Sequence, residues 1–196
     1  MCPFIDLINH SDDGCDIGET QAGFFVKADR AYDQGTEISI CYGAHNNDFL
    51  LVEYGFTLAS NRYDLLILDP FILPLLSDTQ KDLLEENQFL GNYTLDDTGI
   101  CHRTQVALRS MLLSPSAWHD FQLGETDGSA EADEVDEILS GVLKDVKLEA
   151  ALATRRTKIV REKASPDEEQ ILDLIETRWN QVLKLVDDTL EHMEVY

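Results

Sequence analysis

Residues 35–43 read Gly-Thr-Glu-Ile-Ser-Ile-Cys-Tyr-Gly. Ile38, Ile40 and Tyr42 fall on one side of an extended chain, with Ser39 and Cys41 on the other, which is the period-two alternation of a strand with one apolar face. Upstream, "GFFVKAD" (23–29) mixes aromatic and β-branched residues, and "AYDQGTE" (31–37) supplies Asp33 and Gly35 as turn chemistry. The two apolar runs are therefore expected to pair as a hairpin around that turn. Downstream, "NNDFLLVEYGF" (46–56) reads as a short helical turn entering a compact, glycine-containing end. At the other extreme, "MCPFIDLINHSDDGCD" (1–16) carries an apolar run that stops at Asn9-His10-Ser11 before an acidic turn. An Asn-His pair at the end of such a run is commonly a local hydrogen-bonded turn, since both side chains readily satisfy nearby backbone groups.

Beyond residue 60 the pattern changes. Pro70 and Pro74 discourage regular structure, so 61–76 is expected to be a connection. From Ser77 onward the chain reads as helical, with Ser77 and Asp78 as cap candidates. Val106, Leu108, Met111 and Leu112 recur at mixed three- and four-residue spacing. The stretch 124–137 ("GETDGSAEADEVDE") is acidic, small-residue and aperiodic, and is expected to be a surface loop. Two long helices are expected to close the chain. The first starts near Val135 and ends in the basic run "TRRTKIVREK", as the helix dipole favours. The second opens at Ser165-Pro166-Asp167-Glu168, a capping box with proline at N1. Its stripe of Ile171, Ile175, Trp179, Val182, Val186, Leu190 and Met193 is a core-facing surface.

The 196 residues carry 38 acids against 15 bases, a formal charge of −23. Such a chain repels nucleic acid and anionic membranes and steers a basic protein segment toward itself. Its four cysteines form no Cys-x-x-Cys pair and no zinc-spaced cluster, so reduced thiols and a cytosolic or nuclear setting are expected, without a metal. The most apolar stretch, "LLILDPFILPLL" (65–76), is too short and too interrupted to span a bilayer.

Three elements of the first third, "DLINHS" (6–11), "GTEISICYG" (35–43) and "NNDFLLVEYGF" (46–56), occur in an order and at a spacing that resemble the C-terminal half of a SET domain. The similarity is to the subgroup of the Rubisco large-subunit and ribosomal-protein lysine methyltransferases. In that subgroup an Asn-His-Ser element precedes a G-x-E-[IL]-x-[IL]-x-Y-G strand and an N-x-x-[FL]-L-x-x-Y-G-F segment. The resemblance is close over 1–56 and looser over 77–196, where "YTLDDTGICHRTQVALRSMLL" (93–113) has the style of the all-helical substrate-binding domain that follows SET there.

The resemblance implies an α+β chain: a partial, β-rich SET domain with its pseudoknot element over 1–60, then an all-α substrate-binding domain over 77–196. It implies S-adenosyl-L-methionine as cofactor, held by Asp6, Asn9 and His10, with Phe56 against the adenine and Tyr54 lining the channel where cofactor and target meet. Tyr42 is implied as the active-site tyrosine, with no metal. The implied activity is protein-lysine N-methylation of a basic protein such as a ribosomal protein or histone; some proteins of this architecture modify histidine instead. In the resembling proteins a glycine-rich cofactor strand and a helical insert precede Asn-His-Ser. Here only eight residues precede Asn9, so half of the cofactor pocket is expected to lie outside this sequence. A segment of a longer gene, a non-catalytic paralogue serving as a protein-binding module, and a chain completed by another chain remain as alternatives.

Overall fold

The computed structural model describes residues 4–194. The chain divides into two compact units, 1–64 and 65–196. The architecture is α+β, with most of the helix in the second unit.

The first unit opens with a 3-10 turn, Ile5–Leu7, and continues into strand β1, His10–Thr20. Strand β2, Gly23–Lys27, returns antiparallel to β1, with Asp16 opposite Lys27 and Thr20 opposite Gly23. The hairpin therefore differs from the sequence expectation. "GFFVKAD" pairs backward with "DIGET", not forward with "EISICYG". The turn that closes it is Gln21-Ala22, where the Thr20 hydroxyl accepts from the Ala22 N–H and donates to the Gly23 carbonyl. A two-residue closure of neighbouring segments costs less loop entropy than the nine residues needed to reach Glu37.

Residues 37–43 remain extended but pair only through Ile40, which bridges His10 and Cys15 in parallel fashion. Its N–H donates to the Asn9 carbonyl at 2.9 Å, and the Ser39 carbonyl accepts from the Cys15 N–H at 2.7 Å. Gly14 makes this contact possible, since a Cβ there would lie 2.6 Å from the Ile40 backbone. Helix α1, Asn47–Tyr54, follows. Asn46 caps it by accepting from the Phe49 N–H, and Gly55 ends it in the left-handed conformation. That conformation, at φ +76°, suits glycine because it has no Cβ to clash. Among the described residues of this unit, Cys15, Ile40, Asn47 and Leu50 are fully buried, while Phe24, Phe25, Ile17 and Val52 stay exposed.

The second unit has its own core. Within 61–76, the stretch expected as a connection, lie strand β3 (Leu66–Ile67), helix α2 (Asp69–Ile72) and a 3-10 turn (Leu73–Leu75). Pro70 sits in the first turn of α2, where a missing N–H costs nothing, so it starts that helix and does not break it. The Asp69 carboxylate accepts from the backbone N–H groups of Asn92 and Tyr93. That places strands β4 (Thr94–Asp96) and β5 (Gly99–Ile100) beside β3 in a small antiparallel sheet. The unit is thus mainly helical, with a three-stranded sheet that the sequence reading did not include.

Helices α3 (Asp78–Glu86), α4 (His102–Arg109) and α5 (Pro115–Gln122) pack around this sheet. Ser77 and Gln80 form the capping box of α3. The acidic stretch 124–137 is loop only in its first part; a 3-10 turn at Ser129–Glu131 leads into α6 (Ala132–Arg161). Helix α7, Pro166–Glu194, returns against α6. Ser165 and Glu168 exchange the capping-box bonds expected of them. Leu68, Ile72, Tyr93, Trp118, Leu143 and Val186 mark the centre of the core. No helix among the described residues is long and apolar enough to cross a membrane.

Candidate cofactor and active site

Four of the six residues singled out in the sequence meet in the first unit. His10 lies at the start of β1, Tyr42 at the end of the extended 37–43 segment, Tyr54 at the last turn of α1, and Phe56 just beyond Gly55. Their rings form a closed loop of neighbours: Phe56 to His10 at 5.8 Å, His10 to Tyr42 at 5.0 Å, Tyr42 to Tyr54 at 4.9 Å, and Tyr54 to Phe56 at 6.2 Å between centroids. The tilts are 39–48°, within the range aromatic pairs favour over flat stacking.

Two hydrogen bonds fix the centre of this loop. The Tyr42 backbone N–H donates to His10 Nδ1 at 3.1 Å, and the Tyr42 hydroxyl donates to the Ile8 carbonyl at 2.7 Å. Because Nδ1 accepts, the neutral ring carries its proton on Nε2, and Nε2 is buried without a partner. Burial holds the His10 pKa below the ordinary histidine value. Burial, with Tyr54 as a second cause, pushes the Tyr42 phenol above its usual value, so it is a protonated hydroxyl at neutral pH and not a base.

Beside the rings lies a cleft of about 420 Å³. Its walls are apolar where Ile5, Ile17 and Ile40 contribute, and polar where Asp6, Tyr42 and Tyr54 do. Asp6 sits in the opening 3-10 turn and is exposed. Asn9 is the exception among the expected site residues. Its side chain is exposed and donates to the Glu37 carboxylate, and it enters the site through its backbone carbonyl, bonded to Ile40. His10 and Phe56 close the ring loop without lining the cleft itself.

The sequence reading missed the residues that hold these groups in place. Asn47 is buried and anchors the chain that carries Tyr54 and Phe56. Its side-chain carbonyl accepts from the Leu58 N–H at 3.0 Å and from Asn61 at 3.2 Å, and its amide donates to the Leu58 carbonyl at 2.9 Å. An Asn directly after a helix cap gives no local sign of such a role, because its partners lie eleven and fourteen residues ahead. Gly14 was equally silent, its constraint being a contact with Ile40. Among the described residues no cluster of His, Cys, Asp or Glu is arranged to hold a metal ion.

The surroundings suit a ligand with an aromatic base and polar substituents. Tyr42 and Tyr54 give the cleft aromatic faces, and Asp6 gives its edge a hydrogen-bond acceptor. An Asn-His-Ser element bonded to a Tyr-Gly segment, ahead of a mainly helical unit, is the arrangement expected of the C-terminal half of a SET domain.

Comparison with known proteins narrows this class. The chain belongs to the family described as the ribosomal lysine N-methyltransferase 2 C-terminal domain, which matches residues 65–192. The match begins at the boundary between the two compact units. The chain is 31% identical to ribosomal lysine N-methyltransferase set11 of Schizosaccharomyces pombe, over 81% of this chain and 44% of that protein. It is 35% identical to ribosomal lysine N-methyltransferase 2 of Saccharomyces cerevisiae, over 55% of this chain and 27% of that protein. Identity to human SET domain-containing protein 4 is 25%, over 95% of this chain and 45% of that protein. The match thus spans less than half the length of each of these curated relatives.

Proposed function

We propose that this chain serves S-adenosyl-L-methionine-dependent protein-lysine N-methylation, with a basic segment of a protein as substrate and the cytosol or nucleus as its setting. The observation that carries the reading is the closed ring loop of His10, Tyr42, Tyr54 and Phe56 beside the cleft edged by Asp6. The relatives named as ribosomal lysine N-methyltransferases support it and point to ribosomal proteins as the first substrates to try.

The bound cofactor supplies a methyl group activated on a sulfonium, so the protein needs no nucleophile of its own. Asp6 offers a carboxylate at the cleft edge, while His10 and Phe56 back the Tyr42 and Tyr54 rings that border it. Tyr42 and Tyr54 border the place where the amine arrives. Their rings displace water, which favours the neutral amine over the ammonium ion and so prepares the nucleophile. The lone pairs of the Tyr42 hydroxyl can accept polarised C–H groups, at about 0.5–1 kcal/mol each, which orients more than it drives. Alignment supplies most of the effect. The charge of −23 draws a basic segment in.

The test is calorimetric titration of the 196-residue chain with S-adenosyl-L-methionine, with Tyr42→Phe and Asn9→Ala alongside. Transfer of tritiated methyl to ribosomal proteins and to histones completes it. Saturable binding and label on lysine are expected. A folded chain that binds no cofactor and transfers no label overturns the proposal and leaves a protein-binding module acting through the helical unit.

A further inference from the structure

Arg109, at the last turn of α4, is 5% exposed. A buried guanidinium is costly unless a carboxylate faces it. Here none does: no ion pair reaches Arg109 among the described residues, and Glu131 and Asp136 act on it only through space. Its partners are neutral. Nη1 donates to the Gln105 backbone and side-chain oxygens, and Nη2 donates to the Gly128 carbonyl at 2.8 Å. Five N–H donors are available to a guanidinium, so at least two are left over, and Nε is buried with no partner at all. Its guanidinium carbon, Cζ, lies 4.3 Å from the Phe121 ring centroid.

This charge borders a cavity of about 470 Å³ in the second unit, walled by α4, α5 and the 124–129 loop. His102, Gln105, Thr126 and Ser129 add polar groups to the lining. Asp127 is the acid among the lining residues, and its carboxylate is already engaged by the Ser129 N–H and hydroxyl. The loop can lie over the arginine because residue 128 is glycine. At φ +68°, a Cβ there would come within 2.5 Å of both Arg109 Nε and the Phe121 ring. The chain thus buries a positive charge under a glycine loop beside an open cavity, while spending no acid on it despite having 38.

We propose that this cavity is a carboxylate-binding pocket, with Arg109 as the charge that receives a peptide C-terminus or an acidic side chain. A carboxylate suits a planar guanidinium with donors to spare. A dianionic phosphate suits it less, because a single arginine would face it beside the ionised Asp127. In a chain whose overall field draws basic segments, such a pocket adds a second, opposite requirement to whatever binds and so sharpens selection.

The test observes Arg109 directly in the intact 196-residue chain. The Nε–H resonances of the ¹⁵N-labelled protein are recorded, and the Arg109 signal is assigned by its loss in Arg109→Lys. N-acetylglycine, the α-amide of N-acetylglutamate, N-acetylglycinamide and inorganic phosphate are then titrated separately. A saturable shift with either carboxylate, half-complete in the millimolar range, and none with the neutral amide is expected. The first probe responding identifies a C-terminal carboxylate, the second an acidic side chain. Gln105→Glu, which places an acid of the chain's own against Nη1, is expected to abolish the response while keeping the fold. Absence of a saturable shift with both carboxylates, an equal shift with the neutral amide, a shift with phosphate alone, or a response that survives Gln105→Glu overturns the proposal.

Discussion

Tyr42 grips the opening segment twice, through its backbone N–H to His10 Nδ1 and through its hydroxyl to the Ile8 carbonyl, across more than thirty residues of chain. The same side chain borders the cleft, so removing its hydroxyl separates two roles. Tyr42→Phe keeps the ring contacts and is expected to cost about 1 kcal/mol of stability, the worth of one part-buried hydrogen bond. If the proposed activity is right, methyl transfer falls by about tenfold, matching the loss of one or two weak C–H contacts. Cofactor affinity changes far less. Equal losses in affinity and turnover count against a hydroxyl role in the transfer.

Asn47 is the larger structural risk. Truncation to alanine removes the Asn47 bonds to the Leu58 N–H and carbonyl and one of the two bonds of the Asn61 amide, whose bond to the His45 carbonyl stays, and each buried hydrogen bond lost in this way costs about 1–3 kcal/mol. Asn47→Ala is expected to lower the stability of the first unit by about 3 kcal/mol, after water recovers part of the loss. The midpoint of chemical unfolding, followed by tyrosine fluorescence, measures it. A change below about 0.5 kcal/mol, the level of an ordinary surface substitution, would show that the network contributes little.

Gly14 and Gly55 make a matched pair. At Gly14 the obstacle to a side chain is the Ile40 backbone at 2.6 Å, which cannot rotate away. At Gly55 there is open space, and only the left-handed conformation resists a Cβ. Gly55→Ala is expected to cost about 1 kcal/mol and to leave the ring cluster intact. Gly14→Ala is expected to cost about 3 kcal/mol, near the top of the overpacking range. It is also expected to break the Ile40 bridges, seen as faster hydrogen exchange at the Ile40 and Cys15 amides. Similar exchange in the two variants would refute the close-approach argument.

The same comparison explains how far the sequence could be read. Helices α6 and α7 were visible because their apolar stripes and the Ser165 capping box are local patterns. The convergence of Tyr42, His10, Tyr54 and Phe56 was visible only through the resemblance of three linked motifs, since no period relates residues so far apart. The hairpin was misassigned because its true partner, β1, is mostly polar, with Cys15 and Ile17 its only apolar residues, so alternation pointed to the apolar "EISICYG" instead; the Gln21-Ala22 turn decides the pairing. Sheet β3–β4–β5 escaped notice because its strands are two or three residues long and depend on Asp69 accepting from Asn92 and Tyr93. Arg109 carried no sign of burial, because its environment is built by Gly128 and Phe121 from beyond the helix.

His10 gives the site a pH dependence whose sign follows from its bonds. Nδ1 accepts from Tyr42, so a proton added there removes the bond and creates a charge in a desolvated position. Burial accordingly lowers the folded-state pKa below the ordinary histidine value of about 6.5, which the unfolded chain retains. Between the two values the unfolded chain binds the extra proton, so this contribution is complete above about pH 6.5 and is lost as pH falls toward the folded pKa. Acidification is expected to destabilise the first unit and to speed exchange of the Tyr42 amide. His10→Asn retains an acceptor without titrating and is expected to remove this part of the slope. Proton NMR of the His10 ring decides the matter: a midpoint at or above about 6.5 would remove the basis for the prediction, and one clearly below it would assign acid sensitivity to the contact that holds Tyr42 in place.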